Sequence, residues 1–289
     1  MVRHLFSILS TQLLRLIVFG FGLLLFLSLN DALATSDLDY QVYRQPTSAV
    51  HVVTIPAQSN YIVTTEITSQ LSAIADLATK NNALAAINGG YFDPQNEKTT
   101  SYIIKQGNLV ADPRTNERLI DNPDLKPYLG KILNRVQFRR YQCEEATRYD
   151  ITFQTAAIPD GCIVRDALGA GPQLLPVDTS VAEGFTAYED GELIRDAIGR
   201  DALNARSAIA ITKRGDLILA MVQQQNSTDL GMSLPDLAAF LHSLGATKAM
   251  NLDGGSSSSL YYRGKTYYGK LDGEGNEVQR PLKSVLLVR

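Results

Sequence analysis

The sequence predicts an α/β (α+β) fold: one domain with a mixed, largely antiparallel sheet and a few packed helices. Short apolar segments separated by turn residues indicate strands, and two isolated stretches show helical periodicity. The chain has 289 residues, of which 45% are hydrophobic, so it can form one sizeable core. Because hairpins are mixed with isolated helices, the pattern favours antiparallel pairing over a regular strand–helix–strand series.

The first part of the domain is expected to contain two strands, a helix and a third strand. The strands are predicted over 50–55, 61–65 and 83–87, with a turn over 56–60. Apolar residues at helical spacing predict a helix that begins behind Thr68 or Ser69 and ends at about Lys80.

The second half carries clearer signals. A hairpin is predicted from the strands 205–211 and 217–222, which flank a turn at 213–216. Ser233 is expected to cap a helix that ends at Gly245, since Pro235 suits its first turn. The remaining predictions are a strand over 248–252, a hairpin about 263–265 and a final buried strand over 285–288.

The middle of the chain, 112–165, is rich in Pro, Asp, Asn, Arg and Tyr and is interpreted as a variable insertion. Strand-like pieces lie at 136–141 and 150–155. The two cysteines of the chain, Cys143 and Cys162, are expected either to form a disulfide or to remain as two buried thiols.

The first residues have the composition of a secretory signal. A basic start with Arg3 is followed by an apolar run over 16–29 and by Ala32-Leu33-Ala34. We expect a signal peptide over 1–34, cleavage after Ala34, and a mature domain over 35–289 in the periplasm or outside the cell. The alternative is a retained membrane anchor, whereas cleavage leaves no stable membrane span.

Charge and histidine usage exclude several classes of function. The formal net charge is −3 and the domain has no basic run, which disfavours nucleic-acid binding. The histidines His4, His51 and His242 are too scattered for a Ser-His-Asp triad or a histidine-rich metal site, so no metal and no cofactor are expected. The segment 272–277 resembles a calcium loop in composition only, and its spacing favours a solvated turn.

Two glycine-rich turns, Asn88 to Asp93 and Asn251 to Ser259, each follow a short apolar strand. Paired glycines allow consecutive backbone N–H groups to converge on an anion, although a single Gly-Gly pair is more often a tight turn. Asp93 and Asp253 are the candidate acid–base groups. Arg206 and Arg280, each just before a strand, are candidate clamps for phosphate or carboxylate.

An ordered set of motifs carries a family resemblance. The set consists of Asn88-Gly89-Gly90-Tyr91-Phe92-Asp93, Gly169-Ala170-Gly171-Pro172-Gln173, Arg206-Ser207-Ala208-Ile209, Asn251-Leu252-Asp253-Gly254-Gly255-Ser256-Ser257, and Arg280 before the last strand. In this order they resemble the phosphodiester glycosidase family. The resemblance implies a curved mixed sheet and hydrolysis of a sugar-1-phosphodiester into a sugar and a phosphomonoester.

The resemblance also assigns the site. It implies a catalytic set and a substrate-binding set. The catalytic set is Asn88, Asp93, Arg206 and Asp253. The substrate-binding set is Gly89, Gly90, Tyr91, Gly171, Asn251, Gly254, Gly255, Ser256, Ser257 and Arg280. The family often has Gly where this chain has Ala210 and Ser256, so a narrower pocket is expected.

Two functions of different classes remain open at this point. The first is an exported hydrolase that cleaves glycosyl phosphodiesters in envelope or exopolysaccharide material. The second is a non-catalytic carbohydrate-binding protein of the envelope that uses the same pocket. Either one has a carbohydrate or glycosyl phosphate as its partner.

Overall fold

The computed structural model describes residues 37–226 and 230–289, and the predicted signal segment lies outside the described residues. The strands are β1 (Asp39–Gln45), β2 (Ser48–Ile55), β3 (Val63–Ser72), β4 (Ala85–Asn88), β5 (Ile103–Lys105), β6 (Asn108–Ala111), β7 (Val136–Cys143), β8 (Ala146–Phe153), β9 (Cys162–Gly169), β10 (Gln173–Leu175), β11 (Thr186–Glu189), β12 (Glu192–Asp196), β13 (Arg206–Thr212), β14 (Leu217–Gln223), β15 (Ala246–Asn251), β16 (Ser259–Tyr262), β17 (Lys265–Tyr268) and β18 (Leu282–Val288). The α-helices are α1 (Ile74–Lys80), α2 (Glu117–Ile120), α3 (Leu129–Ile132) and α4 (Leu234–Ser243).

The strands form three sheets and a two-stranded ribbon. Sheet I has the order β1-β2-β14-β13-β15-β10, sheet II the order β17-β16-β4-β18-β3, and sheet III the order β6-β5-β9-β7-β8, while β11 and β12 form the ribbon. Every strand pairing within residues 37–226 and 230–289 is antiparallel. The predicted antiparallel α+β class is therefore confirmed.

Sheet I is buried on both faces because its strands alternate between two cores. Ile209 of β13 faces the central core, where it meets residues of sheets II and III, such as Ile87 and Phe138. Its neighbours Ala208 and Ala210 face α4 on the other side, together with Leu237. Ala210 therefore lies under a helix and does not narrow a pocket, contrary to the expectation from the family pattern.

Helix α4 follows its sequence signals closely. The Ser233 hydroxyl accepts a hydrogen bond from the backbone N–H of Asp236 at 3.2 Å, and Pro235 stands in the first turn. Gly245 then ends the helix in a left-handed conformation with φ of 87°.

Helix α1 begins later than the sequence predicts. Thr68 and Ser69 belong to β3, and the helix starts at Ile74 without a side-chain cap. The pairing of β3 with β18 continues as far as Ser72, which explains the delay. Ladder hydrogen bonds along this edge outweigh the helical spacing of the apolar residues. The predicted end at Lys80 is correct.

The segment 112–165 is part of the domain core. Its Val136, Phe138 and Ile151 are 0–1% exposed and lie in the central core. Cys143 and Cys162 face each other across β7 and β9 and form a disulfide, so the first of the two cysteine predictions is confirmed. Within the described ranges, no helix is both long and apolar enough to cross a membrane.

Candidate active site

The two glycine-rich turns meet at the ends of β4 and β15. The backbone N–H of Asp253 donates to the carbonyl of Gly89 at 3.0 Å, and the Asn88 side-chain amide donates to the carbonyl of Asp253 at 2.7 Å. Since β4 belongs to sheet II and β15 to sheet I, these contacts join the two sheets. Segments 160 residues apart in the chain thereby form one surface.

Asn88 is buried and its polar atoms are occupied within the protein. It is 1% exposed, and its Oδ1 accepts hydrogen bonds from the Ser207 hydroxyl at 2.6 Å and from the Ser259 N–H at 3.1 Å. With the amide donated to Asp253, the side chain links β4, β13 and β16 to the turn that carries the carboxylate. Asn88 therefore orients Asp253 rather than facing the cavity.

The glycines serve close packing of the strand ends. A Cβ at Gly90 would lie 2.2 Å from the carbonyl oxygen of Gly169, and one at Gly89 would lie 2.4 Å from the Ser284 hydroxyl. The Gly89 N–H donates to the Ser284 carbonyl at 2.8 Å, and the Gly255 N–H donates to the Ala205 carbonyl at 2.8 Å. The expectation that these N–H groups converge on an anion is wrong for Gly89 and Gly255.

A cavity of about 450 Å³ opens beside the second turn. Its lining is Tyr91, Ala197, Ile198, Gly199, Asn204, Arg206, Asn251, Asp253, Gly254, Gly255 and Ser256. Seven of these eleven residues were predicted from the motifs. The other four come from the segment 197–204 that precedes β13, which has neither a motif nor a periodic pattern to mark it.

The Asp253 carboxyl group is half-buried in this cavity. Loss of solvation raises its pKa to about 6, and the Ser257 hydroxyl, the Arg280 charge and the Gly254 N–H act in the opposite direction. The carboxyl group therefore exchanges a proton close to neutral pH, as an acid–base catalyst must.

Tyr91 and Asn251 form one wall of the cavity. The Tyr91 hydroxyl donates to the carbonyl of Gly171 at 2.8 Å and accepts from the Asn251 amide at 2.7 Å. Burial raises the pKa of Tyr91 and keeps the phenol neutral. Within the described chain, the Oδ1 of Asn251 is buried and accepts no hydrogen bond.

Arg206 is buried, with 2% exposure, and holds the segment 197–204. Its Nε donates to the carbonyl of Met232 at 3.1 Å. Its Nη atoms donate to the carbonyls of Ile198, Gly199 and Ala202. Four of its five N–H donors thus donate to backbone carbonyls. Arg206 therefore cannot form a bidentate pair of hydrogen bonds with a ligand. In the described chain it forms no ion pair, although the charge of Asp196 acts on it. Its own charge acts on the Tyr91 hydroxyl, which lies in the cavity wall.

Arg280 lies at the rim. Its Nη1 donates to the Ser256 hydroxyl at 3.0 Å, and its guanidinium lies 5.0 Å from the centre of the Phe92 ring. Its positive charge lowers the pKa of Asp253. Arg206 and Arg280 therefore give the cavity two positive charges beside one titratable carboxyl group.

Asp93 is not brought into the cavity. Its carboxylate accepts hydrogen bonds from the Arg118 Nε and from the Gln95 N–H, both at 2.7 Å, and it is not part of the lining. Asp93 also closes its own loop, because its backbone pairs with Lys98 and Glu97. Gly171 and Ser257 likewise lie behind the lining rather than in it.

Comparison with known proteins identifies the family of the chain. The family model described as phosphodiester glycosidase matches residues 81–289. No curated protein matches the chain. The assignment to the family therefore depends on the family model.

Three solved structures share the fold. The catalytic domain of zebrafish N-acetylglucosamine-1-phosphodiester alpha-N-acetylglucosaminidase, auto-inhibited by its pro-peptide, has 20% identity and a TM-score of 0.62, over 90% of this chain and 85% of that one. A hypothetical protein from Synechocystis has 16% identity and a TM-score of 0.56, over 87% of this chain and 61% of its own length. A putative exported protein from Burkholderia pseudomallei has 16% identity and a TM-score of 0.58, over 83% of this chain and 74% of that one. The chain therefore belongs to the phosphodiester glycosidase family, whose members are hydrolases of phosphodiester-linked sugars.

Proposed function

We propose that this protein is an exported glycosidase that hydrolyses a sugar-1-phosphodiester of envelope or exopolysaccharide material. The observation that carries the proposal is the half-buried carboxyl group of Asp253, with a pKa near 6, in a cavity that also receives the charges of Arg206 and Arg280. A phosphodiester carries one negative charge, so it is attracted to this cavity, whereas a neutral glycoside gains nothing from the two arginines.

The chemistry of the leaving group explains why one carboxylate is enough for the proposed hydrolysis. In the proposed step, the Asp253 carboxylate takes a proton from a water molecule, and the water oxygen forms a bond to the anomeric carbon. The bond between that carbon and the phosphate oxygen breaks, and its electron pair leaves with the phosphomonoester. Because a phosphomonoester is weakly basic, charge stabilisation by Arg280 and Arg206 replaces the second, acidic carboxyl group of most glycosidases.

Other residues of the site act by position. Asn88 and Ser207 hold the Asp253 turn through the chain of hydrogen bonds described above. The side-chain amide of Asn251 holds the Tyr91 hydroxyl at the cavity wall. Asp93 fixes its loop through Arg118 and has a structural role in this proposal.

Matched carboxylate variants of the protein 35–289 test the proposal. Free sugar and phosphomonoester are measured after incubation with a panel of sugar-1-phosphodiesters. Asp253→Asn is expected to reduce kcat by about 10²–10⁴-fold, the usual contribution of a general base. Asp93→Asn, the same chemical change outside the cavity, is expected to keep kcat within about threefold.

The contrary outcomes are distinct. Saturable binding of the panel without release of products would contradict the glycosidase and favour the carbohydrate-binding alternative. Equal loss of activity in both variants would contradict the assignment of Asp253 as the single carboxylate of the reaction.

Export is part of the proposal and has its own test. The basic, apolar and Ala-x-Ala order of residues 1–34 supports it. N-terminal sequencing of the protein recovered from outside the cytoplasm is expected to begin at Thr35. Recovery of intact Met1 in the membrane fraction would contradict cleavage.

A further inference from the structure

Three cationic side chains surround the short segment 181–185 beside the cavity. Lys131 Nζ donates to the carbonyl of Val181 at 3.1 Å, Arg135 Nε donates to that of Glu183 at 3.1 Å, and Arg195 Nε donates to that of Gly184 at 3.0 Å. We name Lys131, Arg135 and Arg195 the basic cluster. The backbone carbonyl groups of this one segment therefore bind three positively charged side chains from different parts of the chain.

One carboxyl group, that of Glu183, acts electrostatically on Arg135. In the described part of the chain, none of the members of the basic cluster forms an ion pair. The adjacent Glu183 is fully buried, and its carboxyl oxygens accept from the N–H groups of Val136 and Gln173 and from the Thr179 hydroxyl. Burial also raises the pKa of Glu183, which weakens it as a counter-charge.

Arg135 is held in this position at an energetic cost. It is only 8% exposed, and its Nη atoms form no hydrogen bond within residues 37–226 and 230–289. Burial lowers its pKa to about 10, and the charge of Arg195 acts in the same direction, whereas Tyr91 and Glu183 act in the opposite direction. A buried cation with unused N–H donors destabilises a protein unless a ligand compensates it.

Aromatic rings fix both guanidinium groups. Arg135 lies 3.6 Å from the centre of the Phe185 ring, and Arg195 lies 4.6 Å from that of Tyr128. In each of these two arginines, the Nε donates to a carbonyl and one face of the guanidinium stacks on a ring. The Nη donors therefore remain available to bind an anion.

The basic cluster lies next to the proposed active site. The Phe185 ring is 5.6 Å from the ring of Tyr91, centre to centre, and Tyr91 lines the cavity. The charge of Arg135 also acts on the Tyr91 hydroxyl. Two aromatic rings, those of Phe185 and Tyr91, therefore lie between Arg135 and the cavity that contains Asp253.

We propose that the basic cluster is a subsite for a second anionic group of the substrate, one that lies outside the phosphodiester being cleaved. The inference rests on the proposed function and extends it: the substrate is a polyanionic glycan rather than a singly charged glycosyl phosphate. The second anion is either another phosphate of a repeating chain or the carboxylate of an acidic sugar, and both suit a pair of guanidinium groups.

The test compares three substrates that differ only in the aglycone. One has an uncharged aglycone, one has a second phosphate, and one has a carboxylate. For the unmodified protein, KM for a charged aglycone is expected to be about tenfold lower than KM for the neutral one. A tenfold change corresponds to the contribution of one charge-assisted hydrogen bond to binding. A larger effect with phosphate identifies a repeating phosphodiester, and a larger effect with carboxylate identifies an acidic sugar.

Arg195→Gln is the main variant because Arg195 is only partly buried. It is expected to remove the tenfold preference through KM, with kcat on the neutral aglycone unchanged. Arg135→Lys, which keeps the charge and loses the planar fork, is expected to remove part of it. Arg44→Gln is the matched control, because this exposed arginine lies on β1, at the edge of sheet I opposite β10.

Binding measured by calorimetry separates this inference from the proposed function. If no substrate is cleaved but Arg195→Gln weakens binding of the charged aglycones about tenfold, the glycosidase proposal fails and the subsite stands. If cleavage occurs with equal KM for neutral and charged aglycones, or if Arg195→Gln keeps the preference, the subsite is refuted.

Discussion

At the scale of single residues, the environment of Asp253 determines how the rate depends on pH. Loss of solvation places its pKa near 6, and the proposed reaction needs the ionised form. We therefore expect kcat/KM to rise with pH, to half its maximum near 6, and to level off above pH 7. A pH–rate profile with a sugar-1-phosphodiester measures this. A rate that falls over the same range would contradict the role of Asp253 as a base.

The same pKa predicts a gain in stability when the charge is removed. Because the folded-state pKa is raised from 3.8 to about 6, the protein loses stability as Asp253 ionises between these pH values. Asp253→Asn removes that loss, so it should be more stable than the parent by about 1–3 kcal/mol at pH 7.5.

Urea unfolding at two pH values checks this second effect. The difference between Asp253→Asn and the parent is expected at pH 7.5 and should be much smaller at pH 4.5, where the parent carboxyl is largely protonated. A difference that is independent of pH would mean that the Asn side chain changes packing instead.

The motifs predicted which residues line the cavity better than they predicted what each side chain does there. Asp253, Tyr91 and Asn251 were predicted and do line the cavity. Arg206 lines it too, but it uses most of its donors on backbone carbonyls. A sequence reveals which residue types are present, whereas the direction of a guanidinium fork depends on carbonyl groups brought in by other segments.

At the scale of elements, the close approach of strand ends makes the first glycine turn intolerant of a side chain. An alanine Cβ at Gly90 would lie 2.2 Å from the Gly169 carbonyl oxygen, which belongs to the backbone of β9 and cannot rotate away. Gly90→Ala should therefore lower the free energy of unfolding by about 2–4 kcal/mol. Thermal unfolding of the purified variant measures the change.

Gly130→Ala is the matched control for this substitution. Gly130 lies in α3, and a Cβ there would meet no atom within 4 Å. Alanine favours a helix over glycine, so this variant should be equal to the parent or more stable by about 0.5–1 kcal/mol. A Gly90→Ala protein as stable as the parent would show that β4 and β9 can move apart.

The order of β2 to β4 and of β13 to β18 was predictable, whereas β1, β5, β6 and β9 to β12 were not predicted. The misplaced start of α1 shows why local signals are insufficient. Helical spacing from Leu71 onward suggested a helix, but β3 extends through Ser72 because β18 offers it a partner. Local periodicity contains no information on a strand that is more than 200 residues later in the chain. By contrast, α4 obeys its own cap and terminator, and the predicted helix is the observed one.

At the scale of the whole molecule, the disulfide between Cys143 and Cys162 is expected to contribute to global stability. It closes a loop with a sequence separation of 19 residues. Replacing both cysteines by serine is expected to reduce the free energy of unfolding by about 2–4 kcal/mol, since the unfolded chain gains freedom. Chemical denaturation of the variant, with dithiothreitol-treated parent as control, measures this. Equal stability would mean that the two strands alone fix the loop.

Whether the two cysteines pair stayed open in the sequence, which by itself determined the family, the largely antiparallel α+β class and the two turns from which the site is built. Each of these depends on residue type and on order along the chain, and a linear pattern retains both. Tertiary structure decided that Asp93 pairs with Arg118 while Asp253 faces the cavity. It also decided that the segment 197–204 completes the lining of the cavity. The basic cluster of Lys131, Arg135 and Arg195 likewise forms only in the folded chain. These features depend on which distant segments share a surface. Burial and charge then set the chemistry of each group there, and neither exists until the chain has folded.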